Sequence, residues 1–130
     1  MKYVRFQGLE FNSGTSSRRG IFQLAYQLKD SPDTASYHDR ELRKNLLWLD
    51  THLNAPSILD KAEHHRAICW FKDTAHEPLK RVRAIKFLLE EYGVWVDQIT
   101  TQNPGHILFE DGWQVAAKPF QVNAQPGKSQ

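Results

Sequence analysis

The chain has 130 residues, of which 40% are hydrophobic and 25% are charged, proportions that are ordinary for one soluble globular domain. Its 17 basic and 15 acidic residues are spread evenly, which disfavours a protein that relies on phosphate contacts. No apolar run approaches the ~20 residues of a membrane span, and the first residues lack the apolar segment of a signal peptide.

The first half of the chain predicts one strand and two helices. Alternating polar and apolar residues at 2–6 predict a short strand, and the glycine- and serine-rich stretch 12–20 predicts a loop. The apolar spacing over 20–29 predicts a helix. A second helix is predicted from Ser36 to Leu53, with Ser36 as its N-cap. Its predicted core face is a leucine stripe: Leu42, Leu46, Leu49 and Leu53.

The middle of the chain predicts a strand–helix–strand unit. The strand at 66–72 is apolar on both faces, so we expect it to be central, with Cys69 in the core. Thr74 and Glu77 have the spacing of a capping box at the start of the third helix. The next strand, 94–100, is predicted to follow by a right-handed parallel crossover.

The C-terminal third predicts two more strands. Gly93 is placed to end the third helix, and the Asn-Pro-Gly sequence at 103–105 predicts a tight turn. Asp111 and Gly112, between two strand-like runs, predict a hairpin. The order β-α-α-β-α-β-β-β predicts an α+β fold, with three helices on a small mixed sheet. We expect residues 1–120 to form a single domain and 121–130 to be a flexible tail.

The stretch HHRAICWFKDTAHE concentrates histidine, cysteine and acidic side chains at 64–77. A zinc site needs ligands that converge, but His64 and His65 are adjacent and would point apart in an extended chain. No recognised metal-ligand spacing is present. Cys69 lies in mid-strand, away from the helix N-terminus or cation that activates a thiol. We therefore predict no metal and no cofactor, and the question of enzymatic activity stays open.

Two places have a composition suited to anion binding. Arg18 and Arg19 follow a loop of glycines and hydroxyls and precede a predicted helix. Lys72 and Thr74 lie where a strand ends and the third helix begins, with His76 as a weak candidate for a catalytic acid–base group. The alternative interpretation is that these residues only cap helices and line a surface loop.

Aromatic and basic side chains lie opposite the predicted core faces of two helices. They are Tyr37, Lys44, Trp48, Arg83 and Phe87. Such side chains either pack beneath a loop or form a partner surface, because Trp, Tyr and Arg anchor protein interfaces. With basic residues between them, they also permit a single-stranded nucleic-acid surface, which the even charge distribution does not favour.

The leading functional hypothesis is a small protein-binding or self-associating module that uses these aromatic residues. The alternative is an anion- or nucleotide-recognising protein, or a phosphate-ester enzyme, that uses Arg18, Arg19, Lys72 and His76. The single cysteine and the absence of a predicted signal peptide lead us to expect a cytoplasmic protein without membrane contact.

Overall fold

A computed structural model of the protein describes residues 1–11, 18–29, 31–54, 61, 63 and 66–120. Three helices and an antiparallel sheet confirm the predicted α+β class and element order, with one short strand added. The strands are β1 (Tyr3–Phe11), β2 (Arg18–Gly20), β3 (Ile68–Lys72), β4 (Val96–Thr101), β5 (His106–Glu110) and β6 (Gln114–Lys118). The helices are α1 (Ile21–Lys29), α2 (Ser36–His52) and α3 (His76–Glu91).

Strand β1 organises the sheet because it pairs along both of its edges. Tyr3 lies opposite Thr101 of β4 on one edge and opposite Lys72 of β3 on the other. Farther along the second edge, Phe11 pairs with Arg18 of β2. Strand β6 pairs with β3, and β5 pairs with β6. The main order is therefore β4-β1-β3-β6-β5, with β2 beside the far end of β1.

Every described strand pair is antiparallel, whereas the sequence predicted a mixed sheet. Strands β3 and β4 do run in the same direction, since both are antiparallel to β1, but β1 lies between them. The crossover through α3 therefore passes over one strand instead of joining neighbours. The intervening strand comes from the start of the chain, so no local pattern around α3 could reveal it.

The core lies between one face of the sheet and the three helices. Alternate residues of a strand share a face, so β1 contributes Val4 and Phe6. The leucine stripe of α2 is buried as predicted at Leu42, Leu46 and Leu49. In the described ranges, no helix combines the length and apolarity needed to cross a bilayer.

Two predicted stretches differ from the structure or lie outside it. The loop predicted over 12–20 ends in a strand, because residues 18–20 form β2 against the far half of β1. The tail predicted at 121–130 lies outside the described residues.

The helix starts differ from the sequence predictions. The N-cap of α3 is Ala75, with no side-chain hydrogen bond, so the predicted capping box is wrong. Glu77 instead accepts a hydrogen bond from Arg81 Nε at 2.8 Å, a charge-assisted contact that competes with capping. The N-cap of α2 is Ala35 instead of Ser36, and the Ala35 N–H donates to the Tyr92 hydroxyl at 2.8 Å.

The end of α3 confirms the role predicted for Gly93, which has a φ of +77°. The Gly93 N–H donates to the carbonyl of Glu90 at 3.1 Å, and the Val94 N–H donates to that of Leu89 at 3.0 Å. These two bonds form a Schellman motif, which satisfies carbonyls that the helix end would leave free.

The predicted hairpin is confirmed, but Asp111 rather than Gly112 organises its turn. The Asp111 carboxylate accepts hydrogen bonds from the backbone N–H groups of Trp113 and Gln114, each at 2.9 Å. Asn54, just beyond α2, donates to its other oxygen at 2.9 Å. The φ of Gly112 is not positive, so a larger residue is compatible with this backbone. One carboxylate thus both shapes the turn and ties it to the end of α2.

The hydrogen bonds of Asp111 predict a pH-dependent contribution to stability. Partial burial raises the pKa of Asp111, but the bonds from Trp113, Asn54 and Gln114, together with the nearby Lys72 charge, lower it more, so the net pKa lies below 3.8. The carboxylate therefore stabilises the fold above about pH 4, and this contribution is lost as the pH falls through the lowered folded-state pKa.

We expect Asp111→Asn to be less stable than the wild type at neutral pH, by a difference that shrinks under acid. Urea unfolding of both proteins from about pH 7 to about pH 3 measures that difference. Asp50→Asn, an exposed position on α2, is the matched control and should change stability little. A difference that is constant across the whole pH range would contradict the assignment.

Candidate functional site

The structure does not bring the two halves of the predicted anion site together. Lys72 lies opposite Tyr3 at one end of β1, whereas Arg18 lies opposite Phe11 at the other. Tyr3 and Phe11 are eight residues apart along β1, roughly 26 Å at about 3.3 Å per residue. Arg19 follows Arg18 in β2, and both of these side chains lie outside the described part of the chain.

The charge of Lys72 is matched within the chain. Its ammonium lies 2.6 Å from the Glu110 carboxylate, and its side chain is only 13% exposed. Thr74 lies exposed in the turn before α3, and His76 is the exposed first residue of that helix. An anion that approached the end of β3 would therefore meet a lysine that already has a carboxylate partner.

Cys69 is exposed, so the prediction that it fills the core is wrong. Pairing between β1 and β3 extends only to Val4 and Phe71, and Cys69 lies beyond the part of β3 that β1 flanks. Neighbouring protein still shields the thiol in part: burial raises the pKa of Cys69, and the nearby Arg5 charge opposes this shift without cancelling it. A raised pKa leaves little thiolate at neutral pH, which argues against a nucleophile.

His64 and His65, at the start of the 64–77 stretch, lie outside the described residues. Among the residues that are described, no three His, Cys, Asp or Glu side chains lie close enough together to hold a metal ion.

Trp48 lies in an intramolecular cluster beside the core. Its ring stacks on His52, with centroids 4.1 Å apart and planes 8° apart, and its centroid is 5.7 Å from that of Trp113. The guanidinium of Arg81, on α3, lies 5.1 Å from the Trp48 centroid. These contacts occupy much of the ring surface that a partner would use. Tyr37, by contrast, is 58% exposed, and Lys44 lies near Glu41 on the same outer face of α2.

Arg83 and Phe87 lie on the side of α3 that faces β4, away from Trp48. Arg83 Nε is 3.4 Å from Oε1 of Gln98 in β4, and Phe87, one helical turn later, is 64% exposed. Glu91, one further turn along and also exposed, continues the row. Residues four apart form a ridge on a helix surface, so these three make one continuous stripe, named here the α3 ridge. The sequence prediction missed Glu91, although Glu91 lies four residues after Phe87 and therefore on the same side of the helix.

Among the described strands, β4 lies at one outer edge of the sheet. It pairs with β1 in a regular register over six positions, from Tyr3–Thr101 to Gly8–Val96, and no described strand pairs with its other edge. It contains no lysine or proline, the residues that proteins commonly use to block strand addition. The opposite edge strand, β5, has a pairing irregularity between Ile107 and Phe109, which disturbs its edge.

An apolar groove of about 440 Å³ adjoins the start of β4. It is lined mainly by Leu9, Leu24, Leu28, Val94 and Trp95, and Trp95 is 58% exposed. None of its described lining residues is titratable. The described lining therefore suits apolar contact and includes no acid or base for catalysis.

The described surface thus concentrates features of a binding site at β4: a regular outer edge without a described strand partner, the exposed α3 ridge and the exposed Trp95. Comparison with protein-family models, with curated proteins and with solved structures finds no match to this chain.

Proposed function

We propose that this protein is a non-catalytic protein-interaction module that binds its partner by strand addition at β4. The observation that carries the proposal is the regular outer edge of β4, which has no strand partner among the described residues. Backbone N–H and C=O groups along such an edge supply the affinity in β-augmentation, and flanking side chains supply specificity. Trp95 directly precedes β4, and Phe87 lies one helical turn after Arg83, which contacts Gln98 of β4. Both are more than half exposed and serve as anchors.

The regularity of β4 also favours it over the other strand edges as the binding surface. Strand β2 has only three residues, and β5 is irregular in its pairing with β6. A long and regular edge strand without lysine or proline is the kind that pairs with another chain. This function requires neither a bound anion nor an activated thiol.

Selection from a random displayed peptide library tests whether the β4 edge accepts an added strand. We expect peptides selected against the wild type to bind Thr100→Lys at least about tenfold more weakly, since a lysine on an edge strand opposes strand addition. Thr100 is exposed, so this change should leave the fold intact. Fluorescence anisotropy with the labelled peptide measures the affinity.

Thr74→Lys is the matched control, because it introduces the same charge at an exposed threonine outside β4. It should bind the selected peptides as the wild type does. Peptides that bind the wild type and Thr100→Lys equally well, or a selection that yields no binding peptide, would contradict strand addition at this edge.

A further inference from the structure

We propose that the strand added at β4 is an extended segment of another protein that carries an acidic, an apolar and a basic residue at alternate positions, in that order. This inference rests on the proposed function and specifies its partner. The three side chains meet the α3 ridge, which presents the complementary chemistry along the helix at Arg83, Phe87 and Glu91. All three ridge residues are exposed, so each is accessible to a side chain of another molecule.

Gln98 places the ridge beside the middle of β4. Gln98 pairs with Phe6, a core residue of β1, and cross-strand partners lie on the same face of a sheet, so Gln98 points to the helix side. On that side, its Oε1 is 3.4 Å from Arg83 Nε. Asp97 and Ile99 point to the opposite face, because side chains alternate along a strand. Those two residues therefore take no part in the contact with the ridge.

The direction of α3 sets the order of the three residues in the added strand. Arg83, in the middle of α3, lies beside Gln98, in the middle of β4, and the chain turns back between them through residues 92–95. The helix and the strand therefore run in opposite directions. A strand that pairs antiparallel with β4, as every described pair in this sheet does, runs in the direction of α3. From its N-terminal end, it passes Arg83, then Phe87, then Glu91.

The spacing of the ridge matches the spacing of side chains on one face of a strand. Residues four apart in a helix are about 6 Å apart along its axis. Alternate residues of an antiparallel strand, which share a face, are about 6.8 Å apart. Three successive side chains on the helix side of the added strand thus meet three successive ridge residues. An acid beside Arg83 and a base beside Glu91 then enclose an apolar contact at Phe87, which is the usual arrangement of a polar rim around an apolar centre.

The same charge order distinguishes another protein from a second copy of this chain. None of the six described strands has an acid, an apolar residue and a base at alternate positions in that order. If one of these strands were added at β4, at least one charge of the ridge would have no opposite charge beside it. Charge complementarity therefore favours a segment of a different protein as the occupant.

Two peptides of identical composition test the order of the charges. Selection of a random displayed library against the wild type should enrich segments with an acid two residues before an apolar residue and a base two residues after it. One such peptide is compared by fluorescence anisotropy with a second in which the acid and the base are exchanged. We expect the wild type to bind the first at least about tenfold more tightly, because the exchange turns two attractive contacts into two like-charge contacts.

A double variant of the ridge should reverse this preference. Arg83→Glu/Glu91→Arg keeps the net charge and inverts the order of charges, so we expect it to bind the exchanged peptide more tightly. Glu41→Lys/Lys44→Glu is the matched control, because it exchanges two opposite charges on the outer face of α2. It should keep the wild-type preference. Circular dichroism checks that both double variants are folded.

The outcomes separate this inference from the proposed function on which it rests. The inference is overturned if the wild type binds the two peptides equally or prefers the exchanged one, or if the ridge variant keeps the wild-type preference. If the selected peptides nevertheless bind Thr100→Lys more weakly, strand addition at β4 stands and only the charge order is wrong. Selected peptides that bind Thr100→Lys as tightly as the wild type would contradict both.

Discussion

Replacing Gly105 with alanine is expected to lower the free energy of unfolding by about 3 kcal/mol. Gly105 ends the Asn-Pro-Gly turn that leads from β4 to β5, and its φ is +122°, a conformation that side-chain-bearing residues rarely adopt. An added Cβ would lie 2.2 Å from the carbonyl oxygen of Lys118 and 2.9 Å from the Cα of Pro119. Both contacts are with backbone atoms at the end of β6, so relieving them would require the strand end to move.

Two other glycines separate the effect of backbone conformation from the effect of steric contact. Gly93 has a φ of +77° but no atom within 4 Å of an added Cβ, so Gly93→Ala should cost about 1 kcal/mol from backbone strain alone. Gly112 has neither a positive φ nor such a contact, so Gly112→Ala should stay within about 0.5 kcal/mol of the wild type. Urea unfolding of the three variants measures this order, and a Gly105→Ala variant no less stable than Gly112→Ala would contradict it.

Truncation of Leu42 to alanine is expected to destabilise the protein by about 3 kcal/mol. Leu42 is 0% exposed and belongs to the core between α2 and the other helices. The substitution removes buried methyl groups and leaves a cavity, because surrounding side chains collapse only partly into the space. Urea unfolding should show a lower midpoint with a similar slope, since the surface exposed on unfolding barely changes.

Leu47 provides a control on the same helix with the same chemical change. It is 63% exposed, so Leu47→Ala removes few packing contacts and should change stability by less than about 0.5 kcal/mol. Equal effects at the two positions would show that α2 is rotated from the orientation in which its leucine stripe faces the core.

The orientation of α2 was predictable because helical periodicity is a local property. Leu42, Leu46 and Leu49 lie three and four residues apart, so any helix over this stretch places them on one face, and that face is buried. The end of α3 was predictable for a similar reason, since Gly93 adopts the left-handed backbone conformation that glycine adopts most easily.

The N-caps of α2 and α3, both of them alanines, were not predicted, because a capping pattern in the sequence does not show the competing contacts of its residues. Glu77 was expected to complete a capping box, but Arg81 lies one turn along the helix and binds its carboxylate at 2.8 Å. At the start of α2, Ser36 was predicted as the N-cap, but the N-cap is Ala35, whose N–H donates to the hydroxyl of Tyr92 just beyond α3. At α3, a charged residue of the same helix binds the predicted capping residue, and at α2, a residue 57 positions away binds the backbone of the N-cap.

The candidate site was only partly visible in the sequence. Arg83 and Phe87 were identified as residues opposite a core face, and they lie in the α3 ridge. Trp48 was identified by the same criterion, but its ring packs against Trp113 and His52 of the same chain. A helical wheel shows which side chains lie outside the core face of a helix. It does not show which of them a distant segment then covers.

The sequence by itself determined the helices, their apolar faces, the C-terminal hairpin and the α+β class, because each depends on residues close together in the chain. The tertiary structure decided that β1 separates β3 from β4, that Arg18 and Lys72 lie beside opposite ends of β1, and that no described strand pairs with the outer edge of β4. Those outcomes depend on pairing between segments up to about a hundred residues apart. Such pairing is set by the packing of the whole sheet and leaves no periodic signal in either segment alone.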